Sequence, residues 1–320
     1  MWWEYTLSGL LVGGLVGMTG MGGGSLMTPI LVILFGVSPA TAVGTDIAHG
    51  AVFKTVGALQ HRRLGNVRAQ LAGWMFLGSA PMSLVGVWLA SWLEHAYGKG
   101  VESTMGRVLG GALLFGCVGL VAKSVVSSKA IEDDDFALTA RDRAAAVLIG
   151  LFGGFVVGLT SVGSGVFFGL TLLVVFPLRA HKVVGTDIFH AAALLYVAGV
   201  GHVLAGNVDL GIVGWLLLGS VPGVLAGGRL SVSVGDGLLR FALAAVLGLS
   251  GLKLIDVPGT GTAVVVLLAF AMAALLTYLG RHSWVRYQDR RNGRAAVDAA
   301  VSSPAAPAAA AAGRRRSAGR

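Results

Sequence analysis

Apolar residues in this chain come in long runs separated by short polar stretches: Leu7–Phe35, Ala40–Leu59, Leu71–Trp92, Val108–Val121, Ala144–Phe176, Val183–Leu204, Leu210–Leu225, Leu238–Leu252 and Ala263–Leu279. A helix of about 20 apolar residues crosses the hydrocarbon of a bilayer. Helices and closed barrels are the structures that satisfy their own backbone there. The pattern predicts an all-α, polytopic membrane protein. It also occurs twice. Residues 9–89 fall on residues 150–230 at a constant offset of 141, without a gap and with about thirty of the 81 positions identical. Shared apolar composition does not account for that many matches, because polar signatures repeat with them. Gly44-Thr45-Asp46-Ile47-x-His49 matches Gly185-Thr186-Asp187-Ile188-x-His190, Gly65-Asn66-Val67 matches Gly206-Asn207-Val208, and Gly78-Ser79-x-Pro81 matches Gly219-Ser220-x-Pro222.

The expected organisation is two homologous repeats of about four hydrophobic segments each, plus a C-terminal helix. The first repeat spans 1–126, an acidic soluble linker 127–143, the second repeat 144–258, a C-terminal transmembrane helix 259–280 and a basic disordered tail 281–320. Glu132-Asp133-Asp134-Asp135 places the linker in water, since four adjacent acids are too costly in hydrocarbon.

The first segment of each repeat is longer than one span and is broken by glycine. Gly20-Met21-Gly22-Gly23-Gly24-Ser25 interrupts the first, and Thr160-Ser161-Val162-Gly163-Ser164-Gly165 the second. Clustered glycine favours an irregular backbone, which membranes tolerate where it lines a cavity or is covered by protein. Loop charges bear on whether these segments cross or re-enter. With the tail cytoplasmic and nine crossings, Arg62, Arg63, Arg68, Lys123, Lys129, Arg141 and Arg143 fall outside, against the positive-inside rule. Making both broken segments re-entrant moves all seven inside. It leaves seven crossings and two hairpins, with the repeats entering from opposite sides.

Composition sharpens this picture. The chain is 55% hydrophobic and 12% charged, with a mean hydropathy of +0.80, whereas soluble proteins carry about 25% charged residues. The net charge of +9 would suggest nucleic acid in a soluble protein. Here the surplus sits in short loops and in the Arg-rich tail, as expected of a cytoplasmic terminus facing anionic lipid. Cys117 stands alone, so neither a disulfide nor a cysteine-based metal site is expected, and no cofactor is called for. The opening Met1-Trp2-Trp3-Glu4 lacks the basic start of a cleaved signal peptide.

Candidate chemistry concentrates in two places. Asp46 and His49 lie three residues apart on one helical face, as do Asp187 and His190. Ionisable groups in a membrane mark polar cavities or proton relays. The bland alternative is an Asp or Thr that caps a helix opening at Thr45 or Thr186. The second place is the pair of broken tips. There Gly22, Gly23, Gly24, Gly163, Ser164 and Gly165, with Thr45 and Thr186, would present backbone amides and hydroxyls to a small anion. Lys54 has Leu195 as its counterpart, and the expectation for it is snorkelling toward Arg62 and the interface.

These motifs together resemble the TauE/SafE family of bacterial permeases, over about residues 5–280. The resemblance implies a carrier of sulfite, sulfoacetate or related organosulfur anions across the inner membrane. Alternating access is expected, with proton coupling left open and Asp46, His49, Asp187 and His190 around its polar cavity. The expected partners are a small anionic substrate and membrane lipids, not nucleic acid, and a homo-oligomer is left open. The expected location is the cell membrane, multi-pass, with the C-terminus cytoplasmic, and the protein is not expected to be an enzyme. The competing readings are an intramembrane serine protease, suggested by Ser164-Gly165 followed by His190 and His202, and an anion channel.

Overall fold

Ten helices and no strand make up the described residues of this computed structural model, which are 2–19, 24–97, 101–125, 137–163, 165–230, 236–260, 262 and 266. The first repeat supplies α1 (Trp2–Thr19), α2 (Gly24–Phe35), α3 (Pro39–Arg63), α4 (Ala69–Tyr97) and α5 (Val101–Val125). The second supplies α6 (Ala140–Thr160), α7 (Phe167–Val175), α8 (Ala180–Leu204), α9 (Leu210–Leu230) and α10 (Asp236–Leu254). Four stretches, Ala69–Leu93, Thr104–Ala122, Ala140–Thr160 and His181–Leu204, are long and apolar enough to cross a membrane. The fold is that of an all-helical polytopic membrane protein. The chain divides into residues 1–268, which form a compact unit, and residues 269–320. The latter, most of the expected C-terminal helix, the acidic run, Gly22, Gly23 and Ser164 all lie outside the described residues.

Helix ends follow local chemistry more closely than apolar runs do. Ser38 caps α3, its Oγ accepting from Thr41 N at 3.3 Å, and Pro39 occupies the first turn, where its missing N–H costs nothing. Gly44-Thr45-Asp46 therefore sits inside α3 and does not open it, which corrects the capping alternative. In the second repeat, Gly185-Thr186-Asp187 likewise lies within α8. Helix α6 begins at Ala140, ahead of its apolar run. Thr139 and Asp142 close a capping box there that satisfies the first-turn donors. Hydrogen bonding to Thr139 holds the Asp142 carboxyl below the usual carboxylate range. Helices α3 and α8 end alike. Gly65 (φ +71°) and Gly206 (φ +79°) are left-handed, with Asn66 N bonded to His61 O and Asn207 N to His202 O, each at 3.0 Å. The duplicated Gly-Asn is a helix stop in which glycine adopts the left-handed turn without strain.

The glycine-broken segments fold back on themselves. Tyr5, near the start of α1, stacks on Phe35 at the end of α2 with ring centroids 4.3 Å apart, so α2 returns to where α1 began. In the second repeat, Phe152 of α6 meets Phe167 of α7 at 5.2 Å. The chain reverses there through Ser161 (φ +61°), Gly163 (φ +134°) and Gly165 (φ +102°).

Contacts between the repeats are reciprocal. A Cβ on Gly13 of α1 would stand 2.4 Å from the Ser220 carbonyl oxygen of α9; a Cβ on Gly154 of α6 would stand 2.3 Å from the Ser79 carbonyl oxygen of α4. Small residues four apart (Gly9 and Gly13, Gly150 and Gly154) let these backbones approach closely, a common device where lipid supplies no hydrophobic drive. Helices α3 and α8 cross antiparallel, with Gly50 against Leu195 and Gly57 against Ile188. Helices α5 and α10 also run antiparallel, and Gly110 and Gly251, 141 positions apart in the sequence, touch each other.

Candidate functional site

Around the α3–α8 crossing lies a buried polar cluster drawn from both repeats. Thr45, Asp46, His49, Lys54, Thr186, Asp187 and His190 are all buried. The helical spacing seen in the sequence puts Asp46 and His49 on one side of α3 and Asp187 and His190 on one side of α8, but it does not choose their partners. His49 Nε2 meets Ser220 Oγ of α9 at 2.8 Å, and His190 Nε2 meets Ser79 Oγ of α4 at 2.8 Å. These two contacts are the same contact in the two repeats. The Nδ1 atoms of both rings, also buried, have no hydrogen-bond partner among the described residues. His49 lies beside the Phe53 ring at 4.8 Å, and His190 is edge-on to Phe168 at 4.5 Å.

The carboxylates are treated unequally. Asp46 Oδ2 accepts from Thr28 Oγ1 of α2 at 2.5 Å and from Ser161 Oγ of the second hairpin tip at 2.9 Å. Two hydroxyl donors on one carboxylate oxygen stabilise negative charge where water is scarce. The matching positions in the other repeat are Gly169 and Gly20, which carry no hydroxyl. Lys54 breaks the symmetry too. It is 3% exposed and lies within electrostatic reach of the Asp187 and Asp46 carboxylates. The snorkelling expectation is therefore corrected. The antiparallel register turns Lys54 inward against α8, where a buried cation has carboxylates for company, while Arg62 lies over the Phe189 ring, its guanidinium carbon 5.7 Å from the centroid.

Thr45 and Thr186, expected to face a ligand, accept backbone hydrogen bonds from loops of the opposite repeat. Asp209 N donates to Thr45 Oγ1 and Arg68 N to Thr186 Oγ1, each at 3.0 Å. A Cβ on Gly44 would fall 2.1 Å from Asn207 O, and one on Gly185 2.2 Å from Asn66 O. The Gly-Thr of each motif thus seats the Gly-Asn loop of the other repeat, one use of these residues that the sequence reading missed. The tips are placed as follows. Gly24 is the first residue of α2; Gly163 and Gly165 are buried in the second tip. Several amides of that tip are already taken, since Phe167 N and Phe168 N bond Gly163 O and Val162 N bonds Thr160 Oγ1.

Three participants escaped the sequence reading of the site: Thr28, Ser79 and Ser220. The serines carried a signal, because both repeats retain Gly-Ser-x-Pro. Thr28 carried none, since its counterpart is Gly169.

Comparison with known proteins identifies the family. The family model "Sulfite exporter TauE/SafE" matches residues 5–254. The chain is similar to the probable membrane transporter protein YjnA of Bacillus subtilis (strain 168), 37% identical over 251 residues, covering 78% of this chain and 98% of that one. It is also similar to the probable membrane transporter protein YdhB of the same organism, 24% identical over 246 residues, 77% of this chain and 96% of the relative. No solved structure matches. These matches are to membrane transporters, and the chain belongs to the sulfite exporter TauE/SafE family.

Proposed function

We propose that this membrane permease carries a small anion, sulfite or an organosulfur anion, across the bacterial inner membrane by alternating access. In this reading the two repeats form an inverted pair about an axis in the membrane plane, with the C-terminus cytoplasmic. Asp46, His49, Asp187 and His190 line the central site, with the hairpin tips, including Gly24, Gly163 and Gly165, as its walls. The observation that carries the proposal is the matched, buried polar cluster at the antiparallel α3–α8 crossing, each His bonded to a serine of the opposite repeat. Polar groups at membrane depth mark the path of a solute or proton, and sites at repeat interfaces suit rocking of one half against the other. The name of the family model supplies the sulfite expectation.

The test is flux in proteoliposomes with sulfite, thiosulfate, sulfoacetate, taurine and sulfate, with and without a pH gradient. Saturable, gradient-driven flux is expected for at least one oxyanion, and unsaturable flux would indicate a channel. Asp46→Asn and Asp187→Asn should each abolish gradient-driven accumulation while expressing normally. Near-normal accumulation in both variants would reduce these residues to structural roles.

A further inference from the structure

The matched His–Ser pairs treat the two repeats alike, but the charges beside them do not. Lys54 is a buried cation on α3, and Leu195 stands at its place on α8. The register that sets Gly50 against Leu195 and Gly57 against Ile188 brings Lys54 opposite the stretch of α8 that carries Asp187 and His190. Asp46, by contrast, is held by Thr28 and Ser161, whose counterparts are glycines. Asp46 is thus anchored by hydroxyls, while Asp187 lies on the stretch of α8 that meets a lysine.

We propose that Lys54 is the cationic contact for the transported anion and that Asp187 competes with that anion for it, so that an anion binds when Asp187 takes up a proton. The inference rests on the permease reading above and adds its coupling. When Asp187 is ionised, the ammonium already has an anion beside it, and a second would bring an uncompensated negative charge into a site closed to water. When a solvent proton neutralises Asp187, the ammonium is released to the substrate and the incoming anion meets one negative charge fewer. One proton then accompanies each anion. Asp46 keeps its two hydroxyl donors and is not set in competition with the anion. His49 and His190, the histidines of this cluster on α3 and α8, are tied through Nε2 to Ser220 of α9 and Ser79 of α4 and shape the site. Helix α2 and the second tip contribute hydroxyls, Thr28 and Ser161, at this point. The asymmetry has a functional consequence: a single cation shared by two inverted halves gives one anion site per molecule, not two.

The experiment is binding and counterflow of radiolabelled thiosulfate, sulfoacetate and sulfate by the full-length protein in proteoliposomes. Thiosulfate is the main probe, since its own charge is constant near neutrality. Wild-type affinity should fall as pH rises from about 6 to about 8, approaching about tenfold per pH unit for one linked proton. Asp187→Asn should remove that slope and bind as well at the upper pH as at the lower. Lys54→Gln should lose at least about tenfold in affinity at both ends, as expected when a single charge contact is removed. Lys54→Gln leaves Asp187 without its cation, so the neutral pair Lys54→Gln with Asp187→Asn is the folding-safe companion, and it too should fail to bind. A structural lysine would leave the wild-type slope in Asp187→Asn, and wild-type affinity in the neutral pair; either result overturns the inference while the permease reading stands. Wild-type protein that neither binds nor exchanges any of the three anions overturns the anion-permease reading and this inference with it.

Discussion

Replacing Gly154 by alanine tests how the repeat interface supports the site. The new Cβ would stand 2.3 Å from the Ser79 carbonyl oxygen and 2.5 Å from its Cα, where ordinary contact begins at 3.4 Å. Both neighbours are helix backbone, so rotating a side chain gives no relief, and α4 and α6 must separate locally by about 1 Å. Overpacking of this kind costs about 1–3 kcal/mol. At about 2–4 °C per kcal/mol for a chain of this class, the melting temperature in detergent should fall by roughly 5 °C. The effect reaches the site because Ser79 is the residue whose hydroxyl holds His190 at 2.8 Å. Moving Ser79 by 1 Å stretches that bond past useful length, so flux should fall further than folded fraction does. Gly13→Ala should do the same to Ser220 and His49, since its Cβ would lie 2.4 Å from the Ser220 carbonyl oxygen. Gly73→Ala is the control: it lies in α4 with nothing within 4 Å of its added Cβ, and should be neutral or stabilising by up to about 1 kcal/mol through helix propensity. The assay is paired melting and proteoliposome flux. If Gly154→Ala and Gly73→Ala melt and transport alike, the close α4–α6 approach is not what positions His190.

Two further outcomes follow from the same geometry. Arg63 and Leu204 are equivalent, exposed residues at the ends of α3 and α8; with Cys117 replaced by alanine, Arg63→Cys and Leu204→Cys should label from opposite faces of the membrane, and labelling from one face would refute the inverted arrangement. Thr139→Ala removes the capping box of α6 and should cost about 1 kcal/mol. Because Asp142 has a depressed pKa when folded, its stabilising contribution is complete above the unfolded carboxylate value and is lost as pH falls through the folded one. The gap between wild type and Thr139→Ala should therefore narrow at low pH to what the Asp142 N to Thr139 Oγ1 bond contributes, and a constant gap would show that the carboxylate plays no part.

The sequence by itself determined the class and the plan of this protein. Apolar runs of spanning length fixed a polytopic helical protein, because hydrocarbon leaves the backbone few other solutions. A constant offset of 141 with matched polar signatures exposed the duplication, and glycine clusters marked where each first segment breaks. The spacing of Asp46 with His49 and of Asp187 with His190 put the main polar residues on the right faces, since helical period is a local property. Partner choice is not local, and there the tertiary structure decided. His49 bonds Ser220, 171 residues away, and Thr45 accepts from Asp209, 164 residues away; no period within one repeat contains either contact. Lys54 shows the difference most clearly. Its place near the end of an apolar run reads as a snorkelling cation, because a long side chain reaches water if its helix face is turned that way. The antiparallel register of α3 on α8 turned that face to Asp187 instead, and the same register brought two copies of one polar motif into a single buried polar cluster.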